Sequence, residues 1–119
     1  MSEPAAIRLL VADRSVLAAL RFALSIEGFA IADEDIVEAD PCRHGTLVID
    51  ERYDGDGLTV LAELRARNCR AAAIVLATNP TARLRALIAG LNASLVEKPL
   101  LGDDLSRAIL SANETRKVA

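Results

Sequence analysis

Four side chains that could take part in chemistry each follow a different short apolar segment of this 119-residue chain. They are Asp13, Asp50, Thr78 and Lys98. Two carboxylates supply the hard oxygen ligands that Mg²⁺ prefers, usually together with several waters. A lysine and a hydroxyl beside them can hold a phosphoryl group, whose charge is spread over three oxygens. If the four segments end at one place, these residue types predict magnesium-assisted phosphoryl chemistry.

The apolar segments predict five short β-strands with helices between them. They are rich in Leu, Ile, Val and Ala and cover residues 7–12, 29–32, 46–49, 71–77 and 94–96. The first segment is followed by Ser15, a candidate helix cap, and then by Leu17, Leu20 and Leu24 at helical spacing. Residues 33–45 are acidic and lack periodicity, which predicts a shortened or missing second helix.

The alternation of strands and helices predicts the fold class. Such strands pair in parallel, with helices on both faces of the sheet, and right-handed crossovers leave few topologies for five strands. The common one is the flavodoxin-like doubly wound α/β fold with strand order 2-1-3-4-5. We expect residues 1–119 to form one such domain. In that order the first and third strands are neighbours, so Asp13 and Asp50 would face each other at the carboxyl edge, where ligands bind.

Composition and charge exclude several classes of protein. With 52% hydrophobic residues, 26% charged residues and a net charge of −3, the chain is typical of a globular domain and lacks the basic surface that nucleic-acid binding needs. No apolar run approaches the ~20 residues that span a bilayer, and the N-terminus lacks a basic signal region. We therefore expect a cytoplasmic protein with no nucleic-acid or membrane partner. Cys42 and Cys69 have no metal-ligand or redox spacing, which favours reduced structural thiols.

Taken in chain order, these motifs resemble the receiver domain of two-component response regulators. The matching segments are Val11-Ala12-Asp13, Leu47-Val48-Ile49-Asp50, Ala77-Thr78 and Glu97-Lys98-Pro99. Residues 20–29 and 97–100 are similar in particular to receivers of the nitrogen-fixation regulator type. The whole resemblance covers residues 7–112.

The resemblance implies a role for each of these side chains. Asp50 matches the aspartate that accepts a phosphoryl group, and Thr78 and Lys98 match the groups that engage the phosphoryl oxygens. Asp13 and the backbone carbonyl of Arg52 match ligands of Mg²⁺, which Asp50 also binds. The implied partners are a histidine kinase or phosphotransfer protein as phosphodonor and an unknown downstream protein. The leading hypothesis is thus a stand-alone receiver in a phosphorelay, a signalling module and not a metabolic enzyme.

Three departures from the receiver pattern bear on this hypothesis. Ala12 replaces a carboxylate of the metal pocket, which predicts weak Mg²⁺ binding. The turn after Asp50 is shorter than usual, and Leu95 takes the place of the aromatic residue that moves with the switch threonine. The alternative is a degenerate receiver that acts as a phosphorylation-independent protein-interaction module.

Each candidate residue also has a purely structural interpretation. Asp13 and Asp50 could satisfy nearby N–H groups at strand ends. Thr78 could cap the following helix, and Lys98 could be a surface lysine. A third hypothesis, a flavodoxin-like cofactor binder, is disfavoured because no glycine-rich phosphate loop follows the first strand and aromatic residues are scarce.

Overall fold

Four strands and four helices make up the part of the chain that the computed structural model describes, which is residues 7–31, 45–98 and 105–111. In chain order they are β1 (Ile7–Leu10), α1 (Arg14–Ile26), β2 (Thr46–Asp50), α2 (Gly57–Ala66), β3 (Ala72–Thr78), α3 (Ala82–Gly90), β4 (Ala93–Lys98) and α4 (105–111). A short 3₁₀ turn, Tyr53–Gly55, connects β2 to α2. None of the helices within these residues is long and apolar enough to cross a membrane.

The strands form one parallel sheet in the order β1-β2-β3-β4. On the side of β1 that faces away from β2, Ile31 makes a single parallel bridge to Ile7. The amide of Ile7 donates to the carbonyl of Ala30 on the same side. The predicted α/β class is therefore confirmed, and the bridge at Ile31 occupies the place of the predicted second strand. That strand is shorter than predicted within the described residues. Residues 32–44 lie outside them, and so does the predicted shortening of the second helix.

Helices cover both faces of the sheet, which explains why its two central strands, β2 and β3, are almost continuously buried. Side chains alternate between faces along a strand, so Val48 belongs to one core cluster while Leu47 and Ile49 belong to the other. The Val48 side packs against α1 and α4 through Leu20, Leu24, Leu105 and Ile109. The Ile49 side packs against α2 and α3 through Leu61 and Ile88.

The first helix begins with a cap that differs from the predicted one. Asp13, in extended conformation, accepts hydrogen bonds at Oδ1 from the amides of Ser15 (2.9 Å) and Val16 (3.2 Å). The prediction that Ser15 caps α1 is wrong, because Ser15 already lies inside the first turn. Asp13 is a good N-cap residue in its own right.

Arg65 links the segment that follows α2 to the segment that follows α3 through hydrogen bonds. Its guanidinium donates to four main-chain carbonyls at 2.7–3.2 Å, those of Cys69, Ala71, Leu91 and Asn92. Burial lowers the pKa of Arg65 below its usual value. The arginine therefore supplies donors to main-chain carbonyls of the two segments that follow α2 and α3.

The oxidation state of Cys69 differs from the predicted one. Cys69 is only 3% exposed and is disulfide-bonded, so it is not the reduced thiol that its sequence spacing favoured. The chain's other cysteine, Cys42, lies outside the described residues. The spacing of two cysteines along the chain does not say whether folding brings them together.

Candidate functional site

Three of the four candidate side chains project from the same face of the sheet at its carboxyl edge. Val48, Leu76 and Val96 belong to one core cluster. Because the side-chain period of a strand is two, the residues two positions further on continue that face. Those residues are Asp50, Thr78 and Lys98.

Asp50 and Lys98 form an ion pair although they are 48 residues apart in sequence. The Lys98 ammonium donates to Asp50 Oδ2 at 2.7 Å, and the side chains are 27% and 11% exposed respectively. Asp50 Oδ1 accepts from the amide of Arg52 at 2.9 Å. Both carboxylate oxygens thus have a donor, which compensates the cost of burying the charge. Lys98 is consequently not an unpaired surface lysine.

Thr78 lies directly opposite Lys98 in the register of β3 and β4. Its side chain is exposed. It does not cap α3, because Thr81 is the N-cap and its Oγ1 accepts from the amide of Leu84 at 3.0 Å. Thr78 is the last residue of β3, so it lies at the carboxyl edge of the sheet beside Lys98, the residue that contacts Asp50.

Asp13 follows the strand next to Asp50, as Leu10 of β1 is paired with Ile49 of β2. Its carboxylate is exposed and caps α1 through Oδ1. Asp13 therefore satisfies nearby N–H groups after its strand, as its structural interpretation predicts. A carboxylate retains further acceptor sites after two such bonds, so capping leaves Asp13 able to bind a cation. Arg14 is exposed, and no ion pair joins it to Asp13 or Asp50.

The predicted metal ligands all offer oxygen atoms. Asp13, Asp50 and the carbonyl of Arg52 are hard oxygen donors of the type that Mg²⁺ takes, with water completing its octahedron. The Arg52 carbonyl also accepts from the amide of Gly55 at 3.1 Å. Within residues 7–31, 45–98 and 105–111, no group of three or more His, Cys, Asp or Glu side chains could hold a metal ion.

One residue of the site was missed by sequence reasoning. Gly57, the first residue of α2, packs against the main chain of Asp50 so closely that a Cβ at this position would lie 2.2 Å from the Asp50 carbonyl oxygen. The signal available in the sequence was a glycine directly after the capping Asp56, where helices have no special need for glycine.

Comparisons with known proteins identify the fold. No family model matches the sequence, and no curated protein matches it. A receiver domain of a response regulator from Clostridium thermocellum has a TM-score of 0.82 at 21% identity, over 96% of this chain and 98% of that one. FixJ-N has a TM-score of 0.80 at 26% identity, over 96% of each chain.

A third similar structure is the signal receiver domain of a modulated diguanylate cyclase from Desulfovibrio desulfuricans G20, with a TM-score of 0.78 at 22% identity over 98% of each chain. In all three cases the similarity spans nearly the whole of both chains. The predicted resemblance is confirmed: this chain has the fold of response-regulator receiver domains.

Proposed function

We propose that this chain is a receiver module of a phosphorelay, which accepts a phosphoryl group at Asp50 and signals through altered protein–protein interactions. The observation that carries the proposal is the 2.7 Å contact between Lys98 and Asp50 at the carboxyl edge of the sheet. Ligands of open parallel sheets bind at this edge. A lysine held against a carboxylate there is placed to neutralise charge that arrives on that carboxylate.

The chemical step is a phosphoryl transfer between oxygens or from nitrogen to oxygen. A carboxylate oxygen of Asp50 attacks phosphorus, and the bond from phosphorus to the donor atom breaks. With a histidine donor the leaving group is the imidazole, and with acetyl phosphate it is acetate. In such transfers catalysis is almost entirely positioning and electrostatic stabilisation, which the Lys98 ammonium and the Thr78 hydroxyl would supply to the phosphoryl oxygens.

Mg²⁺, when bound, would neutralise charge on the phosphoryl oxygens. The residues that would hold it are Asp13, Asp50 and the backbone carbonyl of Arg52. Asp13 would do so while its Oδ1 continues to cap α1. Because Ala12 contributes no carboxylate, the site has less negative charge than a pocket with two acids at the end of β1.

A second function, the degenerate receiver, is favoured by one observation. The described residues contain no cluster of three acidic, histidine or cysteine side chains that could hold a metal ion. Without a metal, an ion pair between Lys98 and Asp50 could be purely structural. The chain would then bind its partners without phosphorylation.

Labelling with a small phosphodonor distinguishes the two functions. The full chain is incubated with acetyl phosphate and Mg²⁺, and its intact mass is measured. We expect the wild type to gain one phosphoryl mass and Asp50→Asn to gain none. The matched control is Asp54→Asn on the same turn, where φ is 52° and asparagine is tolerated.

Two outcomes would contradict the proposal. Addition that persists in Asp50→Asn would mean that another side chain is the acceptor. A folded wild type that gains no mass would exclude phosphorylation from this donor and leave the degenerate receiver as the better function.

A further inference from the structure

The start of α2 lies in direct contact with the main chain of the proposed acceptor. Gly57 is buried, and a Cβ added there would lie 2.2 Å from the carbonyl oxygen of Asp50 and 2.9 Å from Cγ2 of Ile49. A Cβ atom essentially never comes within 3.0 Å of a heavy atom outside its own residue and its neighbours along the chain. The closer of the two neighbours is backbone, which cannot rotate away as a side chain can. A side chain at position 57 therefore requires either α2 or Asp50 to move.

The same turn determines the orientation of the Asp50 carboxylate. The amide of Gly57 donates to the carbonyl of Glu51 at 2.8 Å, and the amide of Arg52 donates to Asp50 Oδ1 at 2.9 Å. The other carboxylate oxygen accepts from Lys98. A shift of the Asp50 peptide would thus be passed directly to a carboxylate that is held at both oxygens.

Three other glycines, Gly28, Gly55 and Gly90, do not make such a contact. Gly28 and Gly55 have φ of 95° and 86°, which explains the absence of a side chain, and no atom lies within 4 Å of the Cβ position of either. Gly90, the last residue of α3, has open space around that position and no positive φ. Gly57 has no positive φ either, so close approach alone accounts for glycine there.

We propose that Gly57 is a positioning residue for Asp50: its missing side chain lets α2 close against the Asp50 carbonyl and fixes the carboxylate within reach of Lys98. The inference rests on the proposed acceptor role of Asp50 for its effect on phosphorylation. Its structural part, the dependence of the Asp50–Lys98 contact on Gly57, can be tested without any phosphodonor.

The test compares Gly57→Ala with Gly90→Ala, each alone and combined with Lys98→Met. Alanine at an ordinary helical position is neutral or stabilising relative to glycine, so Gly90→Ala should keep or raise the urea midpoint, whereas Gly57→Ala lowers it. We expect Lys98→Met to lower the midpoint in the wild type and in Gly90→Ala, and to have no further effect in Gly57→Ala, because the contact is already lost. An equal loss in all three backgrounds would overturn the inference.

Labelling by acetyl phosphate adds a functional readout. A misplacement of about 1 Å can cost about a hundredfold in rate, and we expect Gly57→Ala to label about tenfold to a hundredfold more slowly, with Gly90→Ala like the wild type. A folded Gly57→Ala that labels at the wild-type rate would also overturn the inference. If the wild type itself does not label, the proposed function fails, and the midpoints alone decide the role of Gly57.

A reciprocal measurement covers the case in which Gly57→Ala does not fold. Coupling between two sites acts in both directions, so Lys98→Met should speed hydrogen exchange of the Gly57 amide, which donates to Glu51. The reference is the Leu91 amide at the end of α3, which donates to Leu87. Faster exchange at Gly57 alone supports the inference, and unchanged exchange at Gly57 overturns it.

Discussion

The ammonium of Lys98 reaches Asp50 across an intervening strand. Lys98 ends β4 and Asp50 ends β2, while β3 lies between them, yet Nζ and Oδ2 are 2.7 Å apart. Neighbouring strands are about 4.8 Å apart, so only a long side chain can bridge the two. The contact also requires both side chains to project from the same face of the sheet, which the alternation from Val48 and Val96 provides.

Removal of the Lys98 charge should destabilise the fold. Lys98→Met keeps a long side chain but leaves the 11% exposed Asp50 side chain without its cation. We expect a loss of about 1–3 kcal/mol in the free energy of unfolding, measured by urea denaturation. The control is Arg83→Met, an exposed cation on α3, which should change stability by less than about 0.5 kcal/mol. Equal stability of the two variants would mean that the ion pair contributes nothing measurable.

Much of the fold follows from local sequence. Strands covered on both faces are continuous apolar segments, as Leu47, Val48 and Ile49 show with no exposed surface at all. A polar residue at the end of such a segment then marks the edge of the sheet. The site could be predicted to this extent, because parallel strands all end at the same edge.

The rest depends on contacts that local sequence does not encode. Asp13 and Ser15 are both good N-cap residues, and only the path of the chain after β1 gives the cap to Asp13. The approach of Gly57 to Asp50 depends on how α2 packs against the sheet. The disulfide of Cys69 depends on which segments of the folded chain come together.

Restoring the missing acid should strengthen metal binding. At ~6 Å, one more carboxylate adds roughly 5 kcal/mol of attraction to a divalent ion at an effective dielectric constant of 20, and hydration and relaxation cancel most of it. We expect Ala12→Asp to tighten Mg²⁺ binding about tenfold or more. Tyr53, the chain's only tyrosine in the absence of tryptophan, lies on the turn after Asp50 and offers a fluorescence signal for the titration.

The control for this prediction is Ala19→Asp, which adds the same charge at an exposed position of α1. It should change the Mg²⁺ affinity much less than Ala12→Asp, since it lies six residues, about 9 Å, along the helix from Asp13, and exposed charges are screened over about 10 Å at 0.1 M salt. Unchanged affinity in Ala12→Asp would show that the carboxyl edge beside Asp13 is not a metal site in this chain.

Arg65 should be among the residues most sensitive to conservative substitution. Its planar guanidinium donates to four carbonyls in the segments that follow α2 and α3, and a lysine ammonium has only three donors at a single point. We expect Arg65→Lys to lose about 1–2 kcal/mol of stability in urea denaturation, because partly buried carbonyls are left without a donor. Arg67→Lys, at the exposed C-cap of α2, is the matched control and should be nearly neutral. Similar losses in both variants would contradict a specific role for Arg65.

Two asparagines just after helix ends offer a route to a more stable protein. Asn68 follows the C-cap of α2 and Asn92 follows that of α3, with φ of 68° and 55°. Glycine adopts this left-handed conformation without the steric cost of a Cβ and is the preferred residue there. We expect Asn68→Gly and Asn92→Gly each to raise the free energy of unfolding, by up to about 1 kcal/mol.

The matched control for the asparagine variants is Ala62→Gly, an exposed position inside α2. There glycine should lower the free energy of unfolding by about 1 kcal/mol, because a helix interior offers no compensation for the lost backbone restriction. Opposite signs for the two kinds of substitution in thermal or urea denaturation would confirm that the gain comes from backbone conformation. A loss of stability in Asn68→Gly or Asn92→Gly would instead show that the asparagine side chain stabilises the helix end by more than the left-handed conformation costs it.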